Sequence, residues 1–157
     1  MSFRRLRFAL VLLVVRGPLP ASARAQSSAD SSRAPHTTDQ LIQAFRVAHQ
    51  KHSLAGVARL VYWGGTSQDM RRSSERAIAD DFPMAIVRVT MQPLAQGEML
   101  QYTKNGVTYR PTLRAIGRMK VEFVPRSSST ATETVTSYLV GIKDGVYYLL
   151  TAEQVSK

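Results

Sequence analysis

The hydrophobic period of this chain changes once, at Phe82-Pro83, and that change restricts the fold more than any other feature. From Thr38 to Phe82 the apolar residues recur at helical spacing; beyond Pro83 they alternate. Thr38 or Asp39 caps a first helix with Leu41, Ala44, Phe45 and Ala48 on one side and Gln40, Gln43, Arg46 and Gln50 on the other. His52-Ser53 breaks the pattern, and Ser53 caps a second helix that carries Leu54, Val57, Leu60 and Val61 as far as Trp63-Gly64-Gly65. Gly56 weakens that helix by about 1 kcal/mol relative to Ala, or else admits another backbone closely. Thr66 with Asp69 resembles a capping box and opens a third helix to about Asp80, with Met70, Ala77 and Ile78 inward. Arg71, Arg72, Glu75 and Arg76 then face water.

The second half reads as strands. Ala85 to Met91 is the first, stopped by Pro93. Leu100–Thr103 and Val107–Arg110 flank Lys104-Asn105-Gly106, and Asn-Gly is the strongest short hairpin signal. Ala115 to Val124 sets Met119, Val121 and Phe123 on one face against Arg118, Lys120 and Glu122 on the other. After a polar loop from Pro125 to Thr132, Thr134–Ile142 and Val146–Leu150 form a second hairpin around Asp144-Gly145. Helices followed by strands predict an α+β domain over residues 38–157. Its three N-terminal helices pack on a curved, mainly antiparallel sheet of about six strands.

Residues 1–25 read as an export signal. Arg4, Arg5 and Arg7 precede the apolar run Phe8–Val15, and Ala23-Arg24-Ala25 offers small residues where a signal peptidase cuts. The run is far shorter than the roughly 20 residues of a membrane span, so no transmembrane segment remains after cleavage. The expected location is the periplasm or the exterior. Residues 26–37 are polar and Ser-rich, with too little apolar surface to repay ordering, and read as a flexible linker.

The formal charge is +10, from 21 basic and 11 acidic side chains. Five of the basic residues (Arg4, Arg5, Arg7, Arg16 and Arg24) leave with the signal, so 16 remain and the balance falls to +5. No Lys/Arg block follows, which points away from a nucleic-acid partner. The absence of cysteine excludes disulfides, thiol catalysis and thiolate metal sites.

The order of elements resembles the nuclear transport factor 2-like superfamily, a cone-shaped α+β fold shared by ketosteroid isomerase, scytalone dehydratase and SnoaL-type cyclases. Leu41-Ile-Gln-Ala-Phe45, Leu54 through Trp63, Tyr138-Leu-Val-Gly-Ile142 and Tyr147-Tyr-Leu-Leu150 carry the resemblance. Trp63-Gly-Gly, Gly106-Val-Thr-Tyr-Arg-Pro111 and Lys143-Asp-Gly-Val-Tyr-Tyr148 are similar to an exported bacterial subfamily of this architecture. The likeness implies a cystatin-like cone closed by the helices, with Phe45, Leu60, Trp63, Met119 and Tyr138 as its lining. It also implies a homodimer through the sheet.

Catalytic members of such a fold work inside the cone, with a carboxylate base and an oxyanion partner such as a tyrosine hydroxyl. The acids of this chain read as solvated: Asp80-Asp81 at a helix end, Glu98 in a turn, Glu122 on a charged strand face. No catalytic residue is therefore assigned. His49 and His52 lie three apart but lack a third ligand at metal spacing; they read as partly exposed helix-end residues, and no metal site is expected. Ser127–Ser129 have no partnering base, and no nucleophile elbow, phosphate-cradling loop or zinc motif occurs. No cofactor is called for. Arg88, Arg110, Arg114, Arg118 and Lys120 form either an anion-binding stripe or a solvated face, and the solvated face is preferred. The expected function is non-catalytic binding of a small apolar ligand or a protein partner. The alternative is an isomerase or lyase acting inside the cone.

Overall fold

The computed structural model describes residues 33–126 and 134–155, so the expected signal at 1–25, the first seven residues of the expected linker at 26–37 and most of the expected loop at 125–132 lie outside the described residues. The first helix, α1 (Thr38–Gln50), starts one residue earlier than the sequence suggests, because the Thr37 side chain accepts from the Gln40 amide. Leu41, Phe45, Ala48 and His49 form its buried stripe. His52 reverses the chain in the left-handed region, at φ 49°, and Ser53 caps α2 (Leu54–Ala58) by accepting from the Gly56 amide at 3.0 Å.

That second helix is shorter than its apolar pattern. Val61–Tyr62 leave it as a two-residue strand, β1, which runs parallel to Val146–Leu150. The Leu149 amide donates to the Leu60 carbonyl at 2.8 Å, so the sheet edge claims the backbone that the helix would have used. At Gly56 it is a side chain, not another backbone, that approaches closely: a Cβ there would stand 2.9 Å from Ala48 Cβ, so its absence lets α2 close on α1. The next helix, α3 (Gln68–Asp81), is capped by Ser67 rather than Thr66, the Ser67 hydroxyl accepting from the Met70 amide.

Beyond Pro83 come β2 (Met84–Gln92), β3 (Tyr102–Lys104), β4 (Val107–Pro111), β5 (Ala115–Pro125), β6 (Thr134–Lys143), β7 (Val146–Leu150) and β8 (Ala152–Gln154). They do not form the one sheet of about six strands that the sequence suggests. Five strands in the order β1-β7-β6-β5-β2 make a mainly antiparallel sheet, and β3-β4-β8 make a second, smaller one. The division follows from β8, a strand the sequence pattern does not announce, which continues past Leu150 to pair with β4 instead of joining the larger sheet. Both hairpin signals hold. Asn105-Gly106 and Asp144-Gly145 each have two successive positive φ values, 52° and 75°, as the tightest hairpin turns require.

The core lies between the helices and one face of the larger sheet. Phe45, Val57, Ile78 and Phe82 meet Met119, Val121, Phe123, Val140 and Leu149, all buried. The sheet is interrupted by register shifts at Ile86/Arg88 and Ala115/Gly117. Such bulges bend a strand and sharpen its twist. No helix among the described residues is long and apolar enough to cross a membrane.

Candidate functional site

The site is built by two periodicities that converge. On α3, Ser74, Ala77, Ile78 and Asp81 recur at helical spacing and overhang the larger sheet. On β6, Thr136 and Tyr138 point to the same side as the buried Val140. Together with Val61, Leu149, Leu150 and Thr151 these side chains enclose a cavity of about 260 Å³ whose wall is mostly apolar.

One acid sits at its edge. The Tyr138 hydroxyl donates to Asp81 Oδ2 at 3.4 Å, and the Thr136 hydroxyl reaches the same oxygen at 3.5 Å. Both contacts are long for hydroxyl-to-carboxylate hydrogen bonds. Burial pushes the Asp81 carboxyl above its ordinary range; the two hydroxyls pull it back, and neighbouring Asp80 adds to the rise. Burial first, then the Asp81 charge and the hydrogen bond to it, push the Tyr138 hydroxyl well up, so it remains a protonated donor.

Asp81 is the residue that sequence reasoning missed. Its polarity and its place at a helix end suggest a solvated acid, yet it continues the inward stripe, three residues after Ile78 and four after Ala77. The signal was the spacing itself. His49 is a second correction: read as a partly exposed helix-end residue, it is 2% exposed and ringed by Phe45, Phe82 and Phe123 at centroid distances of 5.3–6.1 Å. Its Nε2–H donates to the Asp81 carbonyl at 3.1 Å, while Nδ1 is buried with no partner. The carbonyl accepts only, so Nε2 carries a proton. Burial lowers its pKa, an effect that the Asp81 hydrogen bond opposes and the charges of Arg126 and His52 reinforce. His52 turns away to stack on Phe82, at 5.7 Å. No cluster of three or more metal-binding side chains exists among the described residues.

The five lining residues expected from the sequence share one hydrophobic core but do not line one cavity. Tyr138 alone lines the cavity beneath α3. Phe45 packs against its ring at 5.6 Å but is wholly buried, as is Met119. Leu60 borders a different cavity, between α1, α2 and β7. Trp63 is pinned at the end of β1 by its indole N–H, which donates to the Ala58 carbonyl at 2.8 Å, with Arg71 over the ring at 4.9 Å.

The suggested basic stripe is interleaved with acids. On the outer face of the sheet Glu122 takes both Arg88, at 2.5 Å, and Lys120, at 2.9 Å, and Glu98 pairs with Arg118. Arg110 belongs to the smaller sheet, where it meets Glu153 at 2.8 Å. Lys120 first and Arg88 second hold the Glu122 carboxyl below its usual range.

Compared with protein-family models, curated proteins and solved structures, the chain gives no match to any of them. The geometry beneath α3 therefore carries the functional reading.

Proposed function

We propose that the protein is an exported binding domain that takes a small, largely apolar molecule with one polar head group into the cavity beneath α3. The observation that carries this reading is the Asp81–Tyr138 pair, set at the edge of an otherwise apolar chamber. A few convergent polar groups in an apolar hollow fix a ligand's orientation, while the wall supplies affinity. A volume of about 260 Å³ suits a compact ligand. The cone of the nuclear transport factor 2-like superfamily is the fold proposed for this chamber. Helices against one sheet face and two bulges that bend the sheet support it. The test is a thermal-shift screen of apolar alcohols, phenols and ketones. A true ligand stabilises the native protein by mass action and loses that effect with Asp81→Asn or Tyr138→Phe.

A second reading is favoured by one observation, the raised Asp81 carboxyl within reach of a tyrosine hydroxyl. In it the protein is an isomerase or lyase. The Asp81 carboxylate takes a proton from carbon beside a carbonyl, the electron pair moves onto the carbonyl oxygen, and Tyr138 turns from Asp81 to donate to that oxygen. Exchange of α-hydrogen for deuterium in bound ketones tests it. A base acting this way loses roughly 10²–10⁴ in rate with Asp81→Asn. A protein that binds ketones without exchange is a binder only.

A further inference from the structure

A second cavity, of about 300 Å³, opens on the other side of α2, away from Asp81. Its floor is apolar: Pro35, Ala48 and Leu60 are buried, and Ala44, Val47, Val146 and Tyr148 are half-buried. Its charged residues are all of one sign. Arg33, Lys51 and Arg59 stand exposed around the mouth, on the chain before α1, at the end of α1 and at the end of α2. Among the described residues no Asp or Glu lines it, and none of the three cations has a carboxylate partner.

This contrasts with the sheet face, where Arg88, Arg118 and Lys120 are each matched to a carboxylate. Arg33, Lys51 and Arg59 instead converge on one cavity with no carboxylate among its described lining residues. The position is also built. The Pro35 carbonyl accepts from the Tyr147 amide at 2.8 Å and His36 Nδ1 lies 3.0 Å from the Gly145 carbonyl, so the stretch before α1 is docked on the β6–β7 turn as one wall. Gly56 forms part of the opposite wall, where any side chain would collide with Ala48 and Ser53.

We propose that this cavity binds a monomeric amphiphile with an anionic head, a short-chain carboxylate being the simplest case. The chain lies on Val47, Leu60 and Tyr148, and the head group is held by Lys51 and Arg59, with Arg33 completing the positive rim. Charge complementarity selects the head and the apolar floor selects the tail. A neutral tail alone leaves the cations without a partner, and a small anion alone leaves the floor wet.

Titration of the isotope-labelled protein with octanoate, followed by backbone amide NMR, tests this. Shifts are expected at Lys51, Ser53, Gly56, Arg59, Val146 and Tyr148 and not around Asp81, which separates this site from the α3 cavity. The neutral alcohol 1-octanol and the tail-less anion acetate should each bind at least tenfold more weakly. Lys51→Glu with Arg59→Glu should abolish octanoate binding. Ala44→Trp, which obstructs the cavity and keeps every charge, should do the same. Equal binding of octanol, shifts confined to the Asp81 region, no saturable shift at all, or binding to anionic vesicles without binding of the monomer would each overturn the proposal.

Discussion

Tyr138, midway along β6, donates its hydroxyl to Asp81, the last residue of α3, across 3.4 Å and 57 positions of sequence. The contact joins the two halves of the chain, helical and alternating, where an acid borders the cavity beneath α3. The Asp81 carboxylate is held there at a cost in stability, because burial raises its pKa above the unfolded value of 3.8.

Asp81→Asn is accordingly expected to leave the fold intact and to weaken ligand binding. A raised folded pKa contributes stability fully below the unfolded value and loses it as pH rises through the folded one. The asparagine variant lacks that loss, so its stability relative to wild type should improve as pH rises from below 3.8 toward neutrality. Urea unfolding over that range, paired with ligand titration, checks both halves.

His49 has the opposite sign for its type. Its folded pKa lies below the ordinary imidazole value of 6.5, so its contribution is complete above 6.5 and is lost as pH falls from there through the folded pKa. Protonation must charge a ring boxed by Phe45, Phe82 and Phe123, with Arg126 and His52 adding repulsion. His49→Leu should flatten the fall in stability just below pH 6.5. It also strips the Asp81 carbonyl of its donor, at a cost of about 1–3 kcal/mol. Denaturation midpoints of both proteins from pH 7.5 downward measure this.

Phe123 and Phe45 are 0% and 1% exposed and both pack against His49. Replacing either by Ala should cost about 3–5 kcal/mol in urea unfolding. Phe45→Ala should additionally loosen Tyr138, whose ring it supports, and weaken ligand binding at a concentration of urea where the fold persists.

Glu122 neutralises Arg88 and Lys120 on the outer face. Glu122→Ala exposes both charges and should raise the salt needed to elute the protein from a heparin column. A wild-type protein that already binds as tightly would show that the pairs do not quench the face.

Most of the layout was legible because it rests on local rules. The break at Pro83, both Gly-containing hairpin turns and the inward set Met119, Val121 and Phe123 follow from period and turn chemistry alone. The ends of α2 were not, because Leu60–Tyr62 satisfy a helical stripe and a strand equally, and only the distant Leu149 amide decides between them. β8 was hidden for the same reason: three residues with no pattern of their own become a strand by pairing with β4. At the site, the type of residue misled where the spacing did not. Asp81 and His49 occupy inward helix positions, and reading them by polarity rather than by period placed them in water.

The central claim is that the hollow between α3 and β6 receives a ligand through Asp81 and Tyr138. Its most direct test compares ligand-induced thermal shifts of the native protein with those of Ala77→Trp, a change at the exposed rim of that cavity that obstructs it and leaves the core alone. Compounds that stabilise the native protein should lose their effect in this variant while its own unfolding temperature stays within a few degrees. Undiminished shifts in Ala77→Trp would place the ligand elsewhere and contradict the account.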